Sequence, residues 1–252
     1  MPTRRLTPRP LTVPHENERL IFMESIDKLS GTFGKRLEIK ADVSPAVIKR
    51  LPRYHRYLGE LLREERYRIS SAELSEIMGV TASQIRQDLN CFGGFGQQGY
   101  GYNVKYLHGK ISELLGVSEG YRAVIVGAGN LGRALAATRM FERRGVKRLA
   151  MFDVNDEVVG TEIYGIPVYH VSTLSEFCRN ENINIGVLTV PKEAAYDIAL
   201  TLKDAGVMGI WNFANMELSL DCEVPIIENV HLGDSLMTLC YAIKCRGEKN
   251  DE

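Results

Sequence analysis

Two patterns predict an α/β fold in two domains. A helical module over 44–118 ends in a glycine-rich hairpin, and after it short apolar strands alternate with helices. A third observation fixes the junction of the second domain: Gly127-Ala128-Gly129-Asn130-Leu131-Gly132 follows an apolar strand and opens a helix.

The chain has 252 residues, 44% hydrophobic and 25% charged, as expected of a globular protein with room for two cores. No apolar run approaches the roughly 20 residues that span a bilayer. The N-terminus lacks the apolar core of a signal peptide. The five cysteines (Cys91, Cys178, Cys222, Cys240, Cys245) are scattered without a CxxC pair. That pattern argues against a disulfide framework and a zinc site and fits a reducing cytoplasm. The net charge of -1 hides an asymmetry. Residues 1–44 carry 8 Lys/Arg against 6 Asp/Glu, 45–122 carry 11 against 8, and the remainder 12 against 18. An N-terminal half that binds a polyanion is consistent with this.

Residues 1–43 read as a mobile extension, because Pro2, Pro8, Pro10 and Pro14 crowd its first fifteen positions. A short helix is expected around 19–29. Ser44-Pro45 then reads as an N-cap with proline at the first helical position. Val47, Ile48, Leu51, Tyr54, Leu58, Leu61 and Leu62 follow at helical spacing and are expected to face inward. Ser70 and Glu73 form a capping box for a second helix, which carries Leu74 and Ile77 inward and stops at Gly79. A third starts at Thr81 with Ile85 and Leu89 inside. This arrangement is a helix-turn-helix. Five glycines among aromatics and glutamines over Gly93–Tyr102 predict a β-hairpin wing. A helix over 105–115 and a linker over 116–120 complete the module.

The exposed face of the third helix offers Thr81, Ser83, Gln84, Arg86 and Gln87. Arginine can pair with the O6/N7 edge of guanine and glutamine with the N6/N7 edge of adenine. Ser70 and Ser71, at a helix start, suit a phosphate. Gln97, Gln98 and Tyr100 place the wing along a DNA backbone.

In the second domain (119–230), Ala123–Val126 is the kind of strand that is buried on both faces. A helix over 131–144 is expected next, with strands at 148–153, near 167–168, at 185–190 and at 209–212. A helix lies over 194–205. This is a Rossmann-type parallel sheet. Gly127 permits the turn, Gly129 lets the backbone approach a pyrophosphate, and Gly132 lets helix and strand pack closely. Asp153, 21 residues after Gly132, is placed to accept from ribose hydroxyls and to repel a 2′-phosphate, which selects NAD(H). Thr189, Val190, Pro191, Asn212 and Phe213 follow strands on the other half of the sheet and border the nicotinamide. The chain closes on an amphipathic segment over 232–244, within a C-terminal dimerisation helix and tail at 231–252.

A hydride-transfer enzyme needs a positioned acid or base. His170 and His231 come with no recognisable catalytic partner, and no substrate domain follows Asn212. Sensing of the dinucleotide is therefore expected rather than turnover, with no catalytic and no metal residues. An NAD-dependent dehydrogenase, a CoA-binding Rossmann protein and a constitutive DNA-binding protein remain the alternatives.

The segments Val80–Leu89, Phe92–Tyr102, Gly127–Gly132, Phe152-Asp153, Leu188–Ala195 and Asn212-Phe213-Ala214 together resemble the Rex family of redox-sensing transcriptional repressors. The resemblance covers about residues 44 to 246. It implies a winged helix joined to a Rossmann domain, a C-terminal helix (Leu232–Cys245) swapped between subunits, and a homodimer on a palindromic operator. It also implies release from DNA by NADH. Gln84 and Arg86 match the family's recognition-helix contacts, whereas Gln87 and Gln98 stand where lysine or arginine is usual. Arg56 matches the arginine that links the first helix to the interdomain switch. Thr138 stands where tyrosine is common, His231 where aspartate is common and Asn215 where proline is common.

Overall fold

The structure, a computed structural model, describes residues 44–92, 96–97 and 101–248. The expected extension over 1–43, most of the wing including Gln98 and Tyr100, and the last residues of the tail lie outside them. The chain divides into two compact units at Gly109–Lys110.

The first unit opens with α1 (Pro45–Arg63), β1 (Arg68–Ile69), α2 (Ser71–Met78) and α3 (Ala82–Asn90). Then β2 (Gly96–Gln97) and β3 (Gly101–Asn103) lead into α4 (Val104–Leu114), which runs across the boundary. β3 lies between β1 and β2, antiparallel to both, so the wing is a three-stranded sheet. Pro45 occupies the first turn of α1 as expected, but Ser44 makes no side-chain cap. The capping box of Ser70 and Glu73 is present in full, and Gly79 ends α2 in the left-handed region at φ 64°. The core joins Val47, Leu51, Tyr54, Leu58 and Leu61 to Leu74, Ile85 and Leu89.

Two inward expectations fail. Ile48 and Ile77 are exposed. On so short a helix as α2, the inner stripe is set by Leu74 and Met78 four apart, and Ile77 falls beside it.

The second unit contains β4 (Tyr121–Val126), α5 (Asn130–Ala137), β5 (Val146–Asp153), β6 (Glu162–Ile163) and β7 (Ile166–His170). It continues with α6 (Leu174–Asn180), β8 (Ile185–Leu188), α7 (Lys192–Asp204), β9 (Gly209–Asn212), β10 (Ile226–Asn229) and α8 (Leu232–Glu248). The sheet order is β10-β9-β8-β4-β5-β7-β6, parallel throughout except for the edge strand β6. This is the doubly wound order, with its reversal between β4 and β8. One face is packed by Leu174, Cys178, Ala199 and Leu202 from α6 and α7. The other is packed by Ala136, Phe141 and Ile163.

The expected helix over 131–144 is two pieces. Thr138 turns extended (ψ 147°) and ends α5, and a short 3-10 turn at Glu142–Arg144 ends at Gly145. The Thr138 hydroxyl donates to the Leu135 carbonyl, giving the backbone a local alternative to another helical turn. Gly145 is obligatory, because a Cβ there would lie 1.7 Å from the Val117 carbonyl oxygen.

The His108 ring stacks on His55 with centroids 4.3 Å apart. Burial lowers the His108 pKa below the ordinary histidine value, so folding favours its neutral form. That stabilisation is complete above the ordinary histidine value and is lost as pH falls through it toward the lower folded value. The midpoint of thermal unfolding should therefore fall between about pH 7.5 and about pH 5.5. His108→Phe should remove part of that slope, and an unchanged slope in the variant would contradict the assignment.

Candidate functional site

The glycine-rich loop lies at the sheet reversal, held from both sides. Gly127 N–H donates to the Phe152 carbonyl of β5 at 2.8 Å. Thr189, just past β8, donates its amide to Val126 O at 2.8 Å and its hydroxyl to Val126 O and Gly127 O at 3.0 and 2.9 Å. The loop is so close to β8 that a Cβ on Gly127 (φ 103°) would lie 2.6 Å from Thr189 O. A Cβ on Gly132 would lie 1.9 Å from Gly127 O. Both positions require glycine for packing alone. Gly129 differs: it is exposed, and a Cβ there would meet nothing within 4 Å. The amino end of α5, with Gly129 and Asn130 exposed, thus forms an open cradle at which a phosphate can approach backbone N–H groups.

Asp153, at the end of β5, accepts the Ala128 amide at 2.6 Å through one oxygen and the Asn155 amide at 2.9 Å through the other. Each oxygen keeps a second lone pair for a ribose hydroxyl. On the far side of Ala128, Arg133 Nε donates to its carbonyl at 2.8 Å. Sequence reasoning missed Arg133, although its place one residue after the glycine pattern could have flagged it. Val190 and Pro191 follow Thr189 at the carboxyl end of β8, and Phe213 is tied there by its amide to Leu188 O at 2.9 Å. The Trp211 and Phe213 rings meet edge-on at 4.6 Å.

Asn212 lies at the expected place but faces inward. Its side chain is fully buried, donating to Met216 O and Asn229 Oδ1 and accepting from Ala214 N–H. It fixes the loop after β9. Asn229 extends the network to Glu217, whose other carboxylate oxygen lies 2.8 Å from His231 Nε2.

In the first unit, Ser83, Arg86, Gln87 and Asn90 are exposed on α3. Asn90 was not among the sequence candidates. Four others already hold intramolecular bonds: Thr81 caps α3 through Gln84 N–H, Ser70 caps α2, Ser71 Oγ accepts from Arg86 Nη1 at 3.0 Å, and Gln84 Nε2 donates to Asp88 Oδ1 at 2.8 Å. Arg66 reaches Glu73 at 3.0 Å. Arg56 is exposed with its guanidinium 5.0 Å from the Tyr57 ring centre. Thr138, its hydroxyl engaged with Leu135, lies in the other unit with His231.

A helix-turn-helix with an exposed polar recognition face, and a doubly wound domain with a glycine cradle and strand-end carboxylate, together define a nucleic-acid-binding protein equipped for a dinucleotide. Comparison with known proteins agrees. A family described as "CoA binding domain" matches residues 118–216, and one described as "Putative DNA-binding protein N-terminus" matches residues 42–90. The redox-sensing transcriptional repressor Rex of Clostridioides difficile (strain 630) is 52% identical over 206 residues, 81% of this chain and 96% of the relative. That of Clostridium tetani (strain Massachusetts / E88) is 50% identical over 205 residues, 81% of this chain and 97% of the relative. Among solved structures, RSP in complex with β-NAD+ and operator DNA matches with TM-score 0.77 and 49% identity, covering 84% of this chain and 97% of that one. RSP in complex with β-NADH matches with TM-score 0.77 and 46% identity, covering 84% and 99%. The chain belongs to the Rex family of redox-sensing transcriptional repressors. Its relatives are named repressors rather than dehydrogenases.

Gly132→Ala should cost about 3 kcal/mol or more in chemical denaturation, because the clash is with backbone. Gly129→Ala should stay within about 0.5 kcal/mol of the parent, since its Cβ meets only open space. Equal losses in the two variants would contradict the packing described.

Proposed function

We propose that this protein is an NAD(H)-responsive repressor that binds a palindromic operator as a homodimer in the cytoplasm and is released by NADH. The observation that carries this reading is the pairing of an open glycine cradle beside Asp153 with a recognition helix in one chain of the Rex family. The open face at Gly129 suits the pyrophosphate, and the free lone pairs of Asp153 suit the adenosine ribose. Thr189, Val190, Pro191 and Phe213 border the nicotinamide. Ser71, Arg86 and Gln87 contact DNA, with Gln98 and Tyr100 on the wing. RSP, the neighbour crystallised with NAD+ and operator DNA and with NADH, supports the same pair of ligands here.

Dimerisation rests on α8. Its apolar residues Leu232, Leu236, Leu239 and Ile243 recur at helical spacing, yet all are 55–64% exposed in the single chain. Burying such a side chain is worth about 1.5–3 kcal/mol, so the stripe strongly favours a partner surface. An apolar groove of about 670 Å³ at the amino ends of the strands, lined by Met140, Phe141, Ile185, Trp211 and Ile226, offers such a surface on a second copy. Among the described residues no helix is long and apolar enough to cross a membrane. Leu236→Asp together with Leu239→Asp should convert the dimer to a monomer in light scattering and weaken operator binding. A dimer that survives both would remove α8 from the interface.

Arg56, Thr138 and His231 form the interdomain switch in this reading. The Glu217 carboxylate, 2.8 Å from His231 Nε2, stands beside but not at the position where the family commonly has an aspartate, so it replaces that charge only in part. The deciding experiment is fluorescence anisotropy on a palindromic Rex-type operator at fixed salt, titrated with NADH and then NAD+. Release by NADH alone is expected, and His231→Asp should sharpen it. Tight binding indifferent to both nucleotides would mean that the two units are uncoupled.

A further inference from the structure

Among the described residues of the first unit, a buried polar network surrounds Asp88 on the inner side of α3. Its side chain is fully buried, and its two oxygens accept four donors. Arg50 of α1 approaches both: Nε to Oδ2 at 2.6 Å and Nη2 to Oδ1 at 2.7 Å. Tyr54 Oη donates to Oδ2 at 2.8 Å. Gln84 Nε2 donates to Oδ1 at 2.8 Å, one helical turn back along α3. Two oxygens with about four lone-pair sites are thereby filled. Desolvation pushes the Asp88 pKa up, but the hydrogen bonds from Arg50, Gln84 and Tyr54 outweigh it and hold the carboxyl below its ordinary value.

An ionised carboxylate only accepts. The Gln84 amide therefore has one allowed orientation: turned over, its Oε1 would face Oδ1 with no proton between them. Gln84 is half-buried at the rim of the face that carries Ser83, Arg86 and Gln87. With its nitrogen bound inside, its carbonyl oxygen is turned away from the carboxylate.

We propose that Arg50, Tyr54 and Asp88 are positioning residues that lock the Gln84 amide, so that this residue presents an acceptor to the major groove. It then selects a base edge bearing an exocyclic amino group, N6 of adenine or N4 of cytosine. Guanine and thymine offer O6 and O4 acceptors at the same place, which repel the amide oxygen and could be met only by its second N–H, so they are disfavoured. The inference rests on the module's binding of DNA through α3.

The test is selection of a randomised DNA duplex library by the full-length protein, with bound sequences counted. Three proteins are compared: the parent, Gln84→Met and Asp88→Asn. The parent should show one position per half-site where adenine or cytosine is favoured on the order of tenfold. Gln84→Met, a change at the helix surface, should flatten that position alone. Asp88→Asn frees the amide to turn over, and the same position should lose its preference or shift toward guanine or thymine. A parent profile without sequence preference would overturn the DNA reading itself. A selective parent whose profile is unchanged in Gln84→Met would overturn only the role given to Gln84. Uniform weakening at every position in Asp88→Asn, with no change at that one, would reduce Asp88 to a structural residue and overturn the lock.

Discussion

The second unit depends on one steric constraint, the contact of the glycine loop with its own helix and with β8. Between Gly132 and the Gly127 carbonyl, and between Gly127 and the Thr189 backbone, there is no room for a methyl group. Protein interiors transmit such contacts because they are close-packed. The loop therefore takes its position from two strands at once, β5 through Gly127 N–H and Asp153, and β8 through Thr189. That position is the reversal of the strand order, where the crevice between carboxyl ends opens. Gly129, free of any such contact, is left open to solvent.

The first unit is organised around a charge rather than a steric constraint. A buried carboxylate left unpaired is strongly destabilising, so Asp88 obliges α1 and α3 to meet where Arg50 and Tyr54 can reach it. Arg53 adds a second tie, donating to the Met78 carbonyl at the end of α2 at 2.7 Å. The turn between α2 and α3 is thus fixed from α1, and the exposed face of α3 is presented on a rigid base. A recognition helix gains from this, since an ordering cost met during folding is not met again on binding.

Beyond β9, polar side chains add to the apolar packing of Ala214 and Leu218. Asn212 and Asn229 sit side by side at the ends of adjacent strands and hold the loop through Met216, Leu218 and Glu217. Glu217 in turn meets His231, the residue just before α8. The apolar helix α8 therefore leaves the domain from a hydrogen-bonded base, with its hydrophobic stripe facing outward.

Local pattern alone determined the fold class, the capping box at Ser70, the glycine turn after β4 and the place of Asp153 at the end of β5, because each follows from short stretches of sequence. It also placed the core of α1 to α3 and the buried strand Ala123–Val126, through the spacing of apolar residues. The tertiary structure decided what required distant partners. Thr138 ended a helix that periodicity would have continued, and Gly145 was fixed by the Val117 carbonyl, 28 residues away in sequence. Asn212 turned inward because Asn229 and Met216 were there to receive it. Asp88 reads on α3 as one more polar residue, and its meaning appears only when Arg50, 38 residues earlier, reaches its carboxylate. Periodicity reports which side of an element is apolar, whereas only packing reports which polar group has found a partner.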